Sequence, residues 1–204
     1  MAADDGADVR HDGRSSVVAT GPAVAPAVHA VADTRSPDGH GPEERFEFRP
    51  YDRHWEDFPR GTFVRTRGMT ITETHIVNWA NLAGDWLPLH VDQHVSAQTP
   101  FRSVIAHGPL TIAVALGLVI QSGFFGDSVL AWLGLDEVRL PRPVVPGDTI
   151  YVRAEVVEHL ETSKPHRGRI VVRYDVTNQR DEQVLTFLSG FLMHRLEPAT
   201  DGAG

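Results

Sequence analysis

Hydrophobic positions in the middle of the chain follow two different periods. Residues 62–67, TFVRTR, have the character of a short strand. Residues 71–83, ITETHIVNWANLA, carry apolar side chains at helical spacing instead, and Thr72 or Thr74 is suited to cap such a helix. The apolar positions of this helix are Ile71, Ile76, Trp79 and Leu82. The pattern therefore predicts a short strand followed by an amphipathic helix.

The longest apolar segment is GPLTIAVALGLVI, residues 108–120. Pro109 suits the first turn of a helix, which we expect to run to about Gln121. The segment falls short of the ~20 apolar residues that a membrane span needs. Because its apolar residues cover every face, the pattern predicts a fully buried helix of a globular domain.

The C-terminal half of the sequence has the composition of β-strands. Four segments are rich in β-branched and aromatic residues and are separated by turn-forming or charged residues. These segments are 127–138, 149–159, 168–178 and 183–194. A strand, then helices, then successive antiparallel strands predicts an α+β fold in which an antiparallel sheet wraps around one long central helix.

The two ends of the chain differ from this central part. After Met1, residues 1–44 contain no Leu, Ile, Phe, Tyr or Trp and show no period. A segment of that composition cannot bury enough apolar surface to offset its ordering entropy, so we expect a disordered N-terminal tail. We assign one folded domain to residues 45–197 and a flexible C-terminal tail to residues 198–204.

Composition excludes several classes of function. The net charge of −8 and the pI near 5.7 argue against a nucleic-acid-binding protein, which needs a clustered cationic surface. The absence of cysteine excludes disulfides, thiolate nucleophiles and cysteine-ligated zinc. No spacing of His and carboxylate residues indicates a metal site, and we expect neither a metal nor a cofactor. Without a recognisable secretory signal, the expected location is the cytoplasm.

Two short motifs carry the candidate chemistry. GDWLPLH, residues 84–90, places Asp85 and His90 five residues apart across a proline, so that a carboxylate and an imidazole can reach one water molecule. IAHGPL, residues 105–110, opens the predicted central helix, and Gly108 there permits close approach of a ligand to unpaired N–H groups. From the residues alone two interpretations stay open: a turn residue with a surface imidazole, or an acid–base pair beside an oxyanion-binding helix N-terminus.

In this order the motifs resemble the MaoC-like, or hydratase-2, branch of the hotdog-fold superfamily, which comprises (R)-specific enoyl-CoA hydratases and dehydratase relatives. That family's pattern is Gly-Asp-x-Asn-Pro-φ-His, then a small helix, then φ-x-His-Gly opening the long central helix, and Leu87 stands here in place of its Asn. The matching residues are Gly84, Asp85, Pro88, Leu89, His90, Ala106, His107 and Gly108. The resemblance covers about residues 60–195, includes the Pro-Gly-Asp at 146–148, and implies a single hotdog domain.

The resemblance implies that Asp85 and His90 activate water for addition to a 2-enoyl thioester. Because Pro109 has no N–H, we expect the Gly108 amide to be the main donor to the thioester oxygen. Which of the two acid–base groups protonates carbon stays open. We group five further residues as candidate substrate-binding residues, with Arg102 directed at a phosphate of the carrier. They are Trp86, Leu87, Pro88, Arg102 and His107.

The expected partner is an acyl-CoA or acyl-carrier-protein thioester. We expect the protein to bind neither nucleic acid nor a membrane. One hotdog unit leaves a sheet edge open, so we also expect a homodimer. Two alternatives to a hydratase or dehydratase stay open at this point. One is a hotdog thioesterase, and the other is a non-catalytic acyl-binding subunit.

Overall fold

The computed structural model of the protein describes residues 53–196. The predicted tails at 1–44 and 198–204, and the first residues of the predicted domain, lie outside the described residues. Strand β1 spans Phe63–Arg65 and strand β2 spans Met69–Thr70. The sequence pattern indicated β1 but not the two-residue β2, because so short a strand has no period of its own.

Four helices follow, and the structure confirms the two long ones. Helix α1 is Glu73–Ala83, and Thr72 caps it by accepting a hydrogen bond from the His75 N–H. Helix α4 is Gly108–Gln121, the predicted central helix. Between them lie two single-turn helices, α2 at Pro88–Val91 and α3 at Gln93–Ser96. Periodicity did not indicate these helices, because one-turn helices are too short to show a period, whereas the family pattern implied a small helix between the two motifs.

The remaining four strands form most of one antiparallel sheet. They are β3, Val129–Arg139; β4, Thr149–Glu161; β5, Arg167–Thr177; and β6, Gln183–His194. Their order in the sheet is β1-β4-β5-β6-β3, and β2 pairs separately with β4. All pairs are antiparallel, so the predicted α+β fold is confirmed, and β3 lies at one edge.

Helix α4 packs on the sheet through one of its faces. Ala115, Leu118 and Val119 are buried in the same apolar cluster as residues of β4, β5 and β6. Pro109 and Ile120 are exposed, so the expectation of burial on every face was wrong for the single chain. No helix within residues 53–196 is long and apolar enough to cross a membrane. The packing places the N-terminus of α4 beside α2, where the candidate site lies.

Candidate active site

The backbone conformation at the end of α1 determines the position of Asp85. Gly84 terminates the helix with φ of 72°, a left-handed conformation that glycine adopts without a steric penalty. Its N–H donates to the Ala80 carbonyl at 2.8 Å. Asp85 follows immediately, and one of its carboxylate oxygens lies 3.4 Å from the Leu87 nitrogen. The turn thus brings the Asp85 carboxylate over the start of α2.

Helix α2 presents His90. Pro88 occupies its first turn, and the His90 N–H donates to the Leu87 carbonyl at 2.9 Å. The imidazole Nδ1 donates to the Ile105 carbonyl at 2.7 Å, which leaves the lone pair of the neutral ring on Nε2. No residue of α2 is fully buried. The orientation of His90 therefore depends on directed hydrogen bonds more than on packing.

Asp85, His90 and His107 meet at one point. A carboxylate oxygen and one ring nitrogen from each histidine all lie within 4.8 Å of one another. The rings of His90 and His107 are stacked, with centroids 3.8 Å apart and planes inclined by 27°. The structure thus brings together the two residues that the sequence analysis proposed as an acid–base pair.

The same three side chains are poorly arranged for a shared metal ion. A zinc ion would lie in the plane of each imidazole, at about 2.0–2.1 Å from the nitrogen. Nearly parallel rings stacked 3.8 Å apart direct their in-plane lone pairs side by side and not toward a common point. The arrangement is better suited to exchanging protons with a water molecule than to holding a cation.

Gly108 is the first residue of α4, directly beside this cluster. Its N–H has no hydrogen-bond acceptor among residues 53–196, as expected for the first turn of a helix. A Cβ at this position would lie 3.2 Å from the Leu140 side chain, so glycine allows Leu140 to pack close to the helix N-terminus. The helix N-terminus therefore offers an unpaired donor next to the acid–base pair.

The other predicted site residues differ in their exposure to solvent. Trp86 and Leu87 are exposed, at 50% and 59%, and Pro88 is exposed beside them. Arg102 is exposed too, in a cleft of about 370 Å³ that shares Glu73, Gln93 and Val104 with the smaller cleft lined by His90. His107 is only 1% exposed, which argues against the expectation that its ring contacts a substrate.

The open space beside the acid–base pair is small in the single chain. The cleft that His90 lines between α1 and α2 has a volume of about 70 Å³. Typical ligand pockets measure roughly 300–1,000 Å³. Two larger clefts, of about 520 and 610 Å³, lie along β1 and include no residue of 84–91 or 105–108. The cleft that His90 lines is therefore too small by itself, within residues 53–196, to hold an acyl group.

Two residues that support the site were not predicted from the sequence. Ser96 is fully buried, and its hydroxyl donates to the Pro88 and Leu89 carbonyls, both at 3.1 Å. Thr111 is buried as well, and its hydroxyl donates to the His107 carbonyl at 3.2 Å. A polar residue within an apolar helix was a signal for Thr111. Ser96 had none, because its acceptors are main-chain atoms that become neighbours only in the folded chain.

Comparison with known proteins adds a family to this geometry. A family profile described as "MaoC like domain" matches residues 57–179. Protein MaoC of Klebsiella aerogenes is 36% identical over 104 residues, which are 51% of this chain and 30% of that protein. The 3-hydroxyacyl-thioester dehydratase Z of Mycobacterium tuberculosis is 34% identical over 90 residues, 44% of this chain and 60% of the dehydratase. The chain thus spans less than two thirds of either relative.

Solved structures agree on the fold. A monoamine oxidase regulatory protein from Archaeoglobus fulgius is 36% identical, with a TM-score of 0.68 over 71% of this chain and 96% of that one. A Mycobacterium tuberculosis protein described as having a double hotdog fold is 24% identical, with a TM-score of 0.62. The match covers 74% of this chain and 51% of that one, so this chain corresponds to about half of the double fold.

Proposed function

Because this chain belongs to the family of MaoC-like domains, we propose that it interconverts 2-enoyl and (R)-3-hydroxyacyl thioesters by adding or removing water. One observation carries the proposal. The Asp85 carboxylate and the His90 imidazole have atoms within 4.8 Å of each other, directly beside the first residue of α4, Gly108. The carrier of the thioester is CoA or an acyl carrier protein, in keeping with the thioester dehydratase among the relatives.

Hydration requires a proton acceptor, a proton donor and a stabiliser of negative charge. In the proposed reaction, an O–H bond of water breaks, its proton passes to the pair formed by Asp85 and His90, and the oxygen bonds to C3. The electron pair of the C2–C3 double bond moves to the thioester oxygen as an enolate, which then takes a proton at C2. His90 Nε2 suits the first step because Nδ1 is engaged by the Ile105 carbonyl. Dehydration is the reverse.

The Gly108 amide is the proposed donor to the enolate oxygen. It lies at the N-terminus of a 14-residue helix, where the unpaired N–H groups and the helix dipole favour negative charge. Pro109 has no N–H, so it contributes no donor of its own. Loss of one such donor typically costs about 2.7–4 kcal/mol of transition-state stabilisation. We therefore assign the oxyanion role to the Gly108 main chain.

Substrate contacts are proposed for the exposed residues around the pair. Trp86, Leu87 and Pro88 form an apolar surface next to Asp85 and are proposed to contact the acyl chain. Arg102, in the cleft that adjoins the one lined by His90, is proposed to contact a phosphate of the carrier.

We propose that a second copy of the chain completes each site. Strand β3 is an edge strand, and four of its residues or close neighbours expose large apolar side chains. These are Leu130, Trp132, Leu133 and Leu140. An unpaired apolar edge favours association, and the small cleft beside His90 needs further walls to hold an acyl group. Size-exclusion chromatography with light scattering should give a dimer mass; a fully active monomer would contradict the assignment.

The test of the reaction is enoyl-thioester hydration by the full chain and its variants. Asp85→Asn and His90→Ala should each lower kcat about 10²- to 10⁴-fold, the usual contribution of one acid–base group. Asp127→Asn and His94→Ala change exposed residues of the same types and should leave kcat unchanged. The measurement is the enoyl absorbance, which falls on hydration and rises on dehydration. It is made in both directions with thioesters of different acyl-chain length. Unchanged hydration in both site variants would refute the proposal.

A thiol assay separates the alternatives. The chain has no cysteine, so a thiol reagent reports only CoA released from substrate. Thiol release from a saturated acyl-CoA would favour a thioesterase, whereas 3-hydroxyacyl product without free thiol supports hydration. Tight acyl-CoA binding without turnover would favour a non-catalytic acyl-binding subunit. The three outcomes exclude one another for a given thioester.

A further inference from the structure

One short stretch, residues 105–108, contacts both halves of the proposed acid–base pair. The Ile105 carbonyl accepts from His90 Nδ1 at 2.7 Å. Two residues later, His107 Nε2 lies 3.0 Å from the main-chain oxygen of Asp85. These bonds join parts of the chain that are 15 and 22 residues apart. The segment that ends in Gly108 therefore sets where both the carboxylate and the imidazole lie relative to the helix N-terminus.

The hydrogen bonds of His107 determine its tautomer. A carbonyl oxygen can only accept, so the Nε2 that faces the Asp85 carbonyl carries the hydrogen. The other nitrogen, Nδ1, is buried and has no hydrogen-bond partner among the described residues. A hydrogen on Nδ1 would be an unsatisfied donor in the protein interior, which is unfavourable. The hydrogen bond to Asp85 thus places a hydrogen on Nε2 of His107.

The ring of His107 also supports the ring of His90. The two imidazoles stack at 3.8 Å, so the flat face of His107 limits how far His90 can tilt. His90 donates its Nδ1–H to Ile105, and its Nε2 has no hydrogen-bond partner among residues 53–196. Since α2 has no fully buried residue, the stack supplies a constraint that packing of α2 does not.

We propose that His107 is a positioning residue for the reaction: its Nε2–H holds the Asp85 main chain, and its ring holds the His90 imidazole. This inference rests on the proposed role of Asp85 and His90. The side chain is only 1% exposed, so the role assigned to it acts through Asp85 and His90. A polar side chain at this depth is stabilised by hydrogen bonds, and one of its two nitrogens makes the bond that locates Asp85.

Two substitutions separate the two contacts. His107→Gln can place an amide N–H near the position of Nε2 but has no ring to stack. His107→Phe keeps a stacking ring but has no donor for the Asp85 carbonyl. Displacement of catalytic groups by about 1 Å can cost on the order of 100-fold, so we expect each variant to lower kcat about 10- to 100-fold. KM should stay within about threefold, because no substrate contact is lost.

His159 provides a matched control within the same chain. It also stacks on an aromatic ring, that of Trp55, with centroids 3.6 Å apart, and its Nε2 bonds the Trp55 carbonyl at 3.0 Å. It lies on β4 and takes no part in the proposed site. His159→Gln and His159→Phe should therefore leave kcat unchanged while costing comparable stability. If the His159 variants lose kcat as the His107 variants do, the positioning role of His107 is overturned. A raised KM with normal kcat in the His107 variants would overturn it as well.

The tautomer is measured without substrate and without any variant. Long-range ¹H–¹⁵N NMR of the wild-type protein at neutral pH should show hydrogen on Nε2 of His107 and on Nδ1 of His90. Hydrogen on both nitrogens of His107, or on Nδ1 alone, would overturn the inference even if a variant fails to fold. Should Asp85→Asn leave hydration intact, the proposed function fails, whereas the NMR result still decides whether His107 holds Asp85.

Discussion

The segment that carries Asp85 and His90 and the interior of the sheet are stabilised in different ways. In β4, β5 and β6 the strands pair along their length, and alternate side chains enter one apolar cluster. Helix α2 has four residues, none fully buried, and is held by single hydrogen bonds from distant groups. Sheet packing is spread over many contacts, whereas the position of the site depends on a few.

This difference separates stability from activity. A lost contact in the sheet should lower the free energy of unfolding of the whole domain, because its core is one cluster. A lost hydrogen bond near α2 should displace an acid–base group while the sheet stays folded. Four substitutions, from the largest expected effect to the smallest, measure how far the separation holds.

Removal of a large side chain from the sheet core should have the greatest effect on stability. Phe187 is 1% exposed and stacks on Tyr174 with centroids 4.4 Å apart. Phe187→Ala should lower the free energy of unfolding by about 3–5 kcal/mol in urea titrations. Phe63 is 54% exposed, so Phe63→Ala should cost less than about 1 kcal/mol. Similar losses for both variants would show that the core does not depend on packing around Phe187.

Ser96→Ala is expected to lower both the free energy of unfolding and kcat. Its buried hydroxyl bonds two carbonyls of α2, and their loss should cost about 1–3 kcal/mol of stability. Because α2 carries His90, kcat should fall as well, measured as hydration by the fully folded variant. Ser122→Ala is the comparison: that hydroxyl also bonds a carbonyl, of Val119, but lies exposed at the end of α4. Normal kcat in Ser96→Ala would mean that α2 is held by other contacts.

A methyl group at Gly84 tests the turn before Asp85. Gly84 has φ of 72°, and the methyl group of an alanine there would meet no atom within 4 Å. Gly84→Ala therefore suffers backbone strain alone, about 1–2 kcal/mol. Gly84→Asn should cost less, since Asn tolerates this conformation. Gly117→Ala, within α4 and equally free of contacts, should instead stabilise the protein by about 0.5–1 kcal/mol. Equal effects of Ala at both glycines would contradict the strain at Gly84.

The smallest effect is expected for Tyr174→Phe. The Tyr174 hydroxyl is buried without a partner among residues 53–196, so its removal should leave stability within about 1 kcal/mol of wild type, or above it. Burial raises the pKa of Tyr174 above the value of about 10 of an exposed tyrosine. The folded state therefore retains a proton that the unfolded state releases above about pH 10, so stability falls as pH rises further.

The alkaline behaviour distinguishes this tyrosine from an exposed one. Urea unfolding measured from about pH 8 to 11 should show a decline in wild type that is smaller in Tyr174→Phe. Tyr151 is 41% exposed, so the free energy of unfolding of Tyr151→Phe should decline with pH as that of wild type does. If Tyr174→Phe declines just as steeply, the alkaline loss has another origin.

Much of the fold could be read from periodicity. The apolar spacing of residues 71–83 and the continuous apolar run at 108–120 predicted α1 and α4 to within two residues. The four β-rich segments correspond to β3 through β6. Long elements repeat their pattern enough to be recognised. Periodicity did not indicate α2 and α3, because each has only four residues and four positions cannot distinguish a turn of helix from a bend. Only the family pattern implied a small helix between the two motifs.

The candidate site was predictable in its residue types but not in its support. The GDWLPLH and IAHGPL motifs singled out Asp85, His90 and Gly108, which the structure places side by side. They did not indicate that His107 would be buried, nor that Ser96 would hold α2. These contacts end on main-chain carbonyls, which every residue carries, so no side-chain pattern marks the acceptor.

The order of side chains along the chain was sufficient to determine the class of fold and the chemical groups available to the site. Apolar spacing decides which faces must leave water, and that requirement is local to each element. Only tertiary structure decided how Asp85, His90 and His107 face one another. Their positions depend on bonds between segments 15 and 22 residues apart, which no local pattern of side chains specifies.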